Sequence, residues 1–199
     1  MELRDAIVAR RMVRAFEPRP VDPAVVDGLC DLARRAPSAG NTGATSFVVL
    51  EGPEQVARYW DASLPPERRA TFRWPGLLAA PVLVVVVTDP EAYPRRYAEA
   101  DKAATGRGTG TEAWPVPYWW VDAGAAVEHL LLGAVDAGLG ACLFGAFDHE
   151  PAVAAALGVP EGHRLVATIA LGHPAPSAAG RSSGRPGRPR DEVVRRGSW

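Results

Sequence analysis

The chain has few of the residues that announce chemistry on their own. Among 199 residues there are two cysteines and four histidines. Cys30 and Cys142 lie far apart in apolar surroundings and form no CxxC pair. That argues against a disulfide framework and fits two buried free thiols in a reducing compartment. His129, His149, His163 and His173 are spread without metal-ligand spacing, and His129 reads as a core histidine. No GxSxG elbow is present. The glycine-rich Gly106–Gly110 lacks the lysine and hydroxyl of a phosphate-binding P-loop, and it does not join a strand to a helix. The longest apolar run, near Leu77–Val87, contains Pro81 and is too short to span a bilayer. The opening MELRDAIVARRMVRAF has no hydrophobic signal core, so a cytoplasmic location is expected. With 22 basic against 23 acidic residues, charge makes no case for nucleic acid or a membrane surface as partner.

What is present is apolar residue in quantity, 47% of the chain, enough for one well-buried core and a single domain over 1–199. Leu3, Ile7 and Val8 mark a short amphipathic helix ending near Arg10, and Pro18 and Pro20 stop any continuation. Asp22-Pro23 is a helix start, and Val25, Val26, Leu29 and Leu32 form one apolar face behind it. Pro37–Asn41 is a loop. Phe47–Leu50 reads as a buried strand and 53–60 as a short helix. Val82–Val87, five valines in six residues, is the strongest strand. The Gly- and Thr-rich stretch 99–117 reads as a mobile loop near a site.

Asp122–Ala137 is the strongest helix, apolar almost all round and stopped by Gly138. Ala141–Phe144 is a strand, Asp148 starts a helix that ends at Gly158, and Val166–Leu171 is the last strand. Mixed helices and strands with a long buried helix predict an α+β sandwich, one central sheet flanked by helices. Residues 174–190 alone read as a linker, yet Val193, Val194 and Trp199 close the chain with an apolar patch that needs a docking surface.

Four segments could carry chemistry. Arg10, Arg11 and Arg14 fall within five residues, which suits either a phosphate site or a solvated basic face. The loop Pro37-Ser38-Ala39-Gly40-Asn41 offers a hydroxyl, an amide and free backbone groups to the edge of a heterocycle, or is an ordinary turn. Leu143-Phe144-Gly145-Ala146 runs from the end of a strand into a loop, and its small residues Gly145 and Ala146 allow close approach of a flat ligand. The tail carries Arg181, Arg185, Arg188, Arg190, Arg195 and Arg196 against Asp191 and Glu192, a second basic cluster or a solvated tail. Trp119 and Trp120 either pack in the core or line a ligand cavity.

Taken in order, these pieces resemble the nitroreductase family. The resemblance runs through RRMVRAF at 10–16, APSAGN at 36–41, FVVL at 47–50, APVLVVVV at 80–87 and the long segment 122–147. It continues with ALGHPAP at 170–176 and RPGRPRDEVV at 185–194. It implies a nitroreductase-like α/β sandwich with a mostly antiparallel sheet, an intertwined homodimer, and one FMN in each subunit interface. It also implies electron transfer from NADH or NADPH to an electron-poor organic acceptor such as a nitro compound or quinone.

By that resemblance Arg10, Arg11, Met12 and Arg14 form the basic motif that holds the FMN phosphate and the polar side of the ring. Met12 stands where a serine is common, which removes one side-chain hydrogen bond. Pro37, Ser38, Ala39 and Asn41 match the loop that reaches the flavin from the other subunit. The family often continues that loop with Gln-Pro-Trp, where this chain has Gly43-Ala44-Thr45. That departure implies a more open pocket near Thr42 and Gly43, with Trp119 and Trp120 as further candidates for its wall. Leu143, Phe144, Gly145 and Ala146 match the segment along the ring's face and edge. Arg185 and Arg188 match basic tail residues, on an extension (174–199) expected to embrace the partner subunit. Other flavin chemistries on the same scaffold (substrate dehydrogenation, dehalogenation, flavin cleavage) and a non-catalytic flavin-binding protein are the alternatives.

Overall fold

A computed structural model describes residues 1–176 and 184–199. The chain opens with helix α1 (Leu3–Ala9) and α2 (Pro23–Ala33), then strand β1 (Thr45–Glu51), α3 (Gly52–Ser63) and a single turn, α4 (Pro66–Arg69). Strand β2 (Val82–Thr88), α5 (Ala92–Tyr97) and the long α6 (Tyr118–Asp136) follow. Strand β3 (Gly140–Phe144), α7 (Glu150–Leu157), strand β4 (Arg164–Gly172) and the short α8 (Arg190–Val193) complete it. The strands form one sheet in the order β1-β2-β4-β3, each neighbouring pair antiparallel.

The valine run owes its composition to its place in this sheet. β2 lies between β1 and β4, and every one of its residues is buried. Val82, Val84 and Val86 face a core made with α2 and α6. Leu83, Val85 and Val87 face a second core made with Tyr59 and Trp60 of α3 and Val153 of α7. A strand covered on both faces has no polar side to alternate with.

Helix ends follow local chemistry. The Asp22 carboxylate accepts the Ala24 amide at 2.9 Å and Pro23 opens α2, as its sequence signature predicts. α6 ends at Asp136, with Ala137 as its cap and Gly138 at φ 70° just beyond.

Three expectations are corrected. α6 begins at Tyr118, a turn before Asp122. Packing of Trp119 into an aromatic cluster carries the helix back through residues with no strong helix preference. Asp148 does not cap α7: it lies in a 3-10 turn (Phe147–His149), His149 occupies the cap position, and no side chain bonds there. The stretch 99–117 is not shapeless. It folds into 3-10 turns at Ala103–Thr105, Arg107–Thr109 and Thr111–Ala113 and buries Trp114.

The expected apolar faces are only half used. In α1 Ala6 is buried, whereas Leu3, Ile7 and Val8 are exposed. In α6 the buried stripe runs from Trp119 through Ala123, Val127 and Leu130 to Ala134, and Val121 stays exposed. Val25 and Leu32 of α2 are exposed while Val26 and Leu29 are buried. In the tail Val193, Val194 and Trp199 are exposed. Of its arginines, Arg181 lies outside the described residues.

Candidate functional site

The segment after α1 lies against the outer edge of β3. Met12 bridges Ala141 in parallel fashion, and the Val13 amide donates to the Ala141 carbonyl at 2.8 Å. Met12 adds a contact that the expected loss of a serine hydrogen bond did not anticipate: its Sδ accepts the Leu143 amide at 3.3 Å. Two of the sequence-proposed segments, 10–14 and 143–146, are thereby adjacent.

The three arginines have different surroundings. Arg11 is exposed and its guanidinium donates to the Val8 and Arg10 carbonyls, satisfying the end of α1. Arg10 lies 3.7 Å from Glu128 on α6. Arg14 is half-buried and has no carboxylate partner among the described residues; its guanidinium lies over the Trp74 ring at 5.1 Å from the centroid. Arg73 covers the same ring at 4.7 Å. Burial pushes the Cys142 thiol up, opposed by the Arg14 charge, so this cation acts on β3. Beside it Leu143 is 38% exposed, Phe144 and Gly145 are half-buried and Ala146 is buried. A cation without a carboxylate partner among the described residues, near an exposed leucine and a glycine, can hold a phosphate-bearing cofactor. Sequence reading missed Trp74 and Arg73, which sit in a segment with no motif.

The loop 37–43 belongs to a second assembly, at the N-terminal end of α6. The Asp122 carboxylate, 8% exposed, accepts both the Ala39 amide and the Tyr93 hydroxyl through Oδ2 at 2.8 Å. Burial, then this bond, pushes the Tyr93 hydroxyl far up. Arg96 Nε holds the Gly40 carbonyl at 2.9 Å. Gly40 adopts φ 65°, and a Cβ there would meet the Tyr97 ring at 2.6 Å, so glycine is required on both counts. Asn41 follows at φ 55°. Ser38 Oγ accepts the Gly43 amide at 3.0 Å and Thr42 Oγ1 donates to the Ala39 carbonyl at 2.6 Å. Pro37, Asn41 and Gly43 are exposed. Asp122, Tyr93 and Arg96 were not foreseen as site residues; a carboxylate inside an otherwise apolar helix was the available signal.

A cavity of about 410 Å³ opens beside this loop, lined by Ala39, Tyr97, Arg107, Trp114, Val116 and Tyr118 among others. Trp119 and Trp120 do not line it. Trp119 is buried against Tyr93, and Trp120 lies under the Arg164 guanidinium at 5.4 Å. Within one chain, no hydrogen bond or ion pair among the described residues joins loop 37–43 to the arginines at 10–14. Arg185 is exposed, and Arg188 bonds to the Glu192 carboxylate and carbonyl within the tail.

Comparison with known proteins gives this geometry a context. The family model described as "Nitroreductase family" matches residues 7–173, most of the chain. The protein belongs to the nitroreductase family. Its nitroreductase relatives include a 4-nitrobenzoate reductase of Nocardioides sp., 32% identical, the match covering 87% of this chain and 81% of the relative. An NADH dehydrogenase of Thermus thermophilus is 28% identical over 88% of each chain. Among solved structures, a nitroreductase family protein from Clostridium novyi NT superimposes with TM-score 0.67 at 27% identity, over 88% of this chain and 86% of that one. Another, from Clostridium difficile 630, covers both chains fully at TM-score 0.72 and 16% identity, a likeness of fold alone. The mixed helical and antiparallel architecture is the nitroreductase fold, and the protein is an oxidoreductase.

Proposed function

We propose that this nitroreductase-family protein is an FMN-dependent oxidoreductase that carries electrons from NADH or NADPH to an electron-poor organic acceptor, a nitro compound or quinone. The observation that carries the reading is the half-buried Arg14 guanidinium, without a carboxylate partner among the described residues, on the segment that lies along β3 and its exposed Leu143. These residues fit FMN: Arg10 and Arg14 supply charge for a phosphate or for the polar ring edge, Leu143 supplies an exposed apolar side chain, and Gly145 allows close approach, while Phe144 packs inward on Trp60. Bound FMN would supply the two-electron chemistry that no side chain here performs.

The chain's own task is position and electrostatics. Positive charge from Arg14 would favour an anionic group held beside it. Trp74 keeps that guanidinium in place by stacking on it. Loop 37–43, fixed by Asp122 and Arg96, closes one side of a cavity that admits donor and acceptor in turn, which predicts ping-pong kinetics.

The working unit in this reading is a cytoplasmic homodimer. Leu3, Ile7 and Val8 of α1 and Val121 of α6 are exposed apolar side chains that a second copy would cover. The loop 37–43 of that copy would then meet the arginine segment it does not contact in its own chain. Residues 174–199, as an extension of a single domain, would bring Arg185 or Arg188 to the partner.

The deciding experiment is anaerobic reduction of the purified yellow protein by NADH and by NADPH, with mass analysis of the heat-released ligand. Released FMN that bleaches with one or both nicotinamides is expected. FAD, no flavin after reconstitution, or a flavin that neither donor reduces would overturn the reading.

A further inference from the structure

We infer that the cavity beside loop 37–43 binds a small aromatic carboxylate, its ring against Tyr97, Trp114 and Tyr118 and its carboxylate on Arg107. The inference rests on the reductase reading above and narrows the acceptor class.

The walls specify an aromatic occupant. Trp114 stands edge-on to Tyr97 with centroids 4.6 Å apart, and to Tyr118 at 6.1 Å. Tyr93 backs it at 5.5 Å. A flat ring finds offset and edge contacts on such walls that an aliphatic chain does not. About 410 Å³ accommodates one substituted ring with room for solvent.

The single charge specifies the substituent. Arg107 is the only charged residue lining the cavity, and no carboxylate pairs with it among the described residues. Two acids of the preceding segment are engaged elsewhere, since Arg96 pairs with both Glu99 and Asp101, and Glu112 of the adjoining turn is exposed and forms no ion pair with Arg107. Lys102, over the Tyr97 ring at 5.9 Å, adds positive charge near the same wall. The Arg107 guanidinium is also braced. Its Nη1 donates to the Ala113 carbonyl at 2.8 Å, the Arg107 backbone carbonyl accepts the Trp114 indole N–H at 3.1 Å, and its Cζ lies 5.8 Å from the Trp114 centroid. A planar donor held in place beside an aromatic wall matches a carboxylate carried on a ring.

The cavity adjoins the proposed acceptor path through Ala39, which is both a lining residue and part of loop 37–43. Loop 37–43 and the cavity share Tyr97, whose ring packs on Gly40.

The test titrates the purified flavin-loaded protein with benzoate and with methyl benzoate by calorimetry. Benzoate is expected to bind roughly ten- to a hundredfold more tightly, the range of one charge-assisted contact. Arg107→Gln should remove that advantage and leave the ester's affinity unchanged. Arg107→Lys, which keeps the charge, should restore part of it and guards against a purely structural effect of the first variant. Equal binding of acid and ester, no binding of benzoate, or an Arg107→Gln protein that still prefers the acid would overturn the inference. Benzoate binding needs no reduction, so its result stands apart from the reductase reading. A protein that binds benzoate through Arg107 and reduces no nitroaromatic would sink that reading alone, whereas reduction of a nitroaromatic acid and its methyl ester with equal KM would sink this one.

Discussion

At the scale of single residues, what separates Arg14 from the other arginines of its cluster is what they touch. Arg11 serves the end of its own helix, Arg10 faces a glutamate, and Arg14 lies over an indole with one long bond to the Met12 carbonyl and no carboxylate among the described residues. Arg14→Ala is therefore expected to weaken FMN binding by about 1.5–3 kcal/mol, read as the FMN dissociation constant by fluorescence titration; an unchanged constant would return the cluster to a solvated face. A second residue-scale prediction concerns Glu150. Its carboxylate accepts two bonds from Arg164, at 2.8 and 3.0 Å, and the Leu165 amide. The Arg164 bonds foremost, then that amide, hold its pKa below the usual glutamate value. A depressed carboxylate pKa stabilises the fold at pH above the unfolded value, and the stabilisation disappears as pH falls through the folded one. Arg164 is half exposed, so the contribution is discounted to about 1 kcal/mol or less. Glu150→Gln should be less stable than the parent near neutrality and converge with it in acid, as denaturant midpoints across pH will show; a constant difference would refute the linkage.

Elements differ in how much of themselves they betray in sequence. β2 and β4 were legible from composition, and α2 from its cap, because short-range chemistry decides them. The N-terminal turn of α6 was not, because a tertiary contact of Trp119 decides it. The 3-10 turns between α5 and α6 were illegible for a related reason: they are held by Arg107, Trp114 and Tyr97, each bonded or packed across intervening residues. Half the site shares that origin. Arginines crowded into five residues are visible in sequence, while Tyr97, Arg107, Trp114 and Tyr118 converge only once the turns have formed. The amphipathic pattern of α1 was readable, but not what it faces. Ile7 is exposed in the single chain, so Ile7→Glu should leave the fold intact, by far-UV circular dichroism, and shift the protein from dimer to monomer in analytical ultracentrifugation. An unaltered dimer would place the interface elsewhere.

At the scale of the whole molecule the tail supplies the corresponding test. It leaves the sheet pinned at its root, where Phe16 bridges Pro174 and the Ala175 amide donates to the Ala15 carbonyl at 2.9 Å. Beyond that root its described residues are exposed, apolar Val193, Val194 and Trp199 included. Deleting 181–199 is expected to lower both dimer content and bound FMN, since a tail that orders on a second copy contributes to assembly and cofactor retention together. A truncated protein that remains dimeric and fully yellow would make the tail dispensable.

The central position of β2 also has a consequence for how the chain must be made. Its run of valines emerges from the ribosome with only β1 available to pair with it. The other flank, β4, is synthesised only after α5, α6, β3 and α7. During that interval one long edge of an uncharged, β-branched strand is open to any neighbouring chain, the circumstance in which nascent polypeptides aggregate. Late closure of a sheet by sequence-distant strands is slow. Yield in a cell should therefore depend on chaperone capacity and elongation rate more than on the stability of the finished fold.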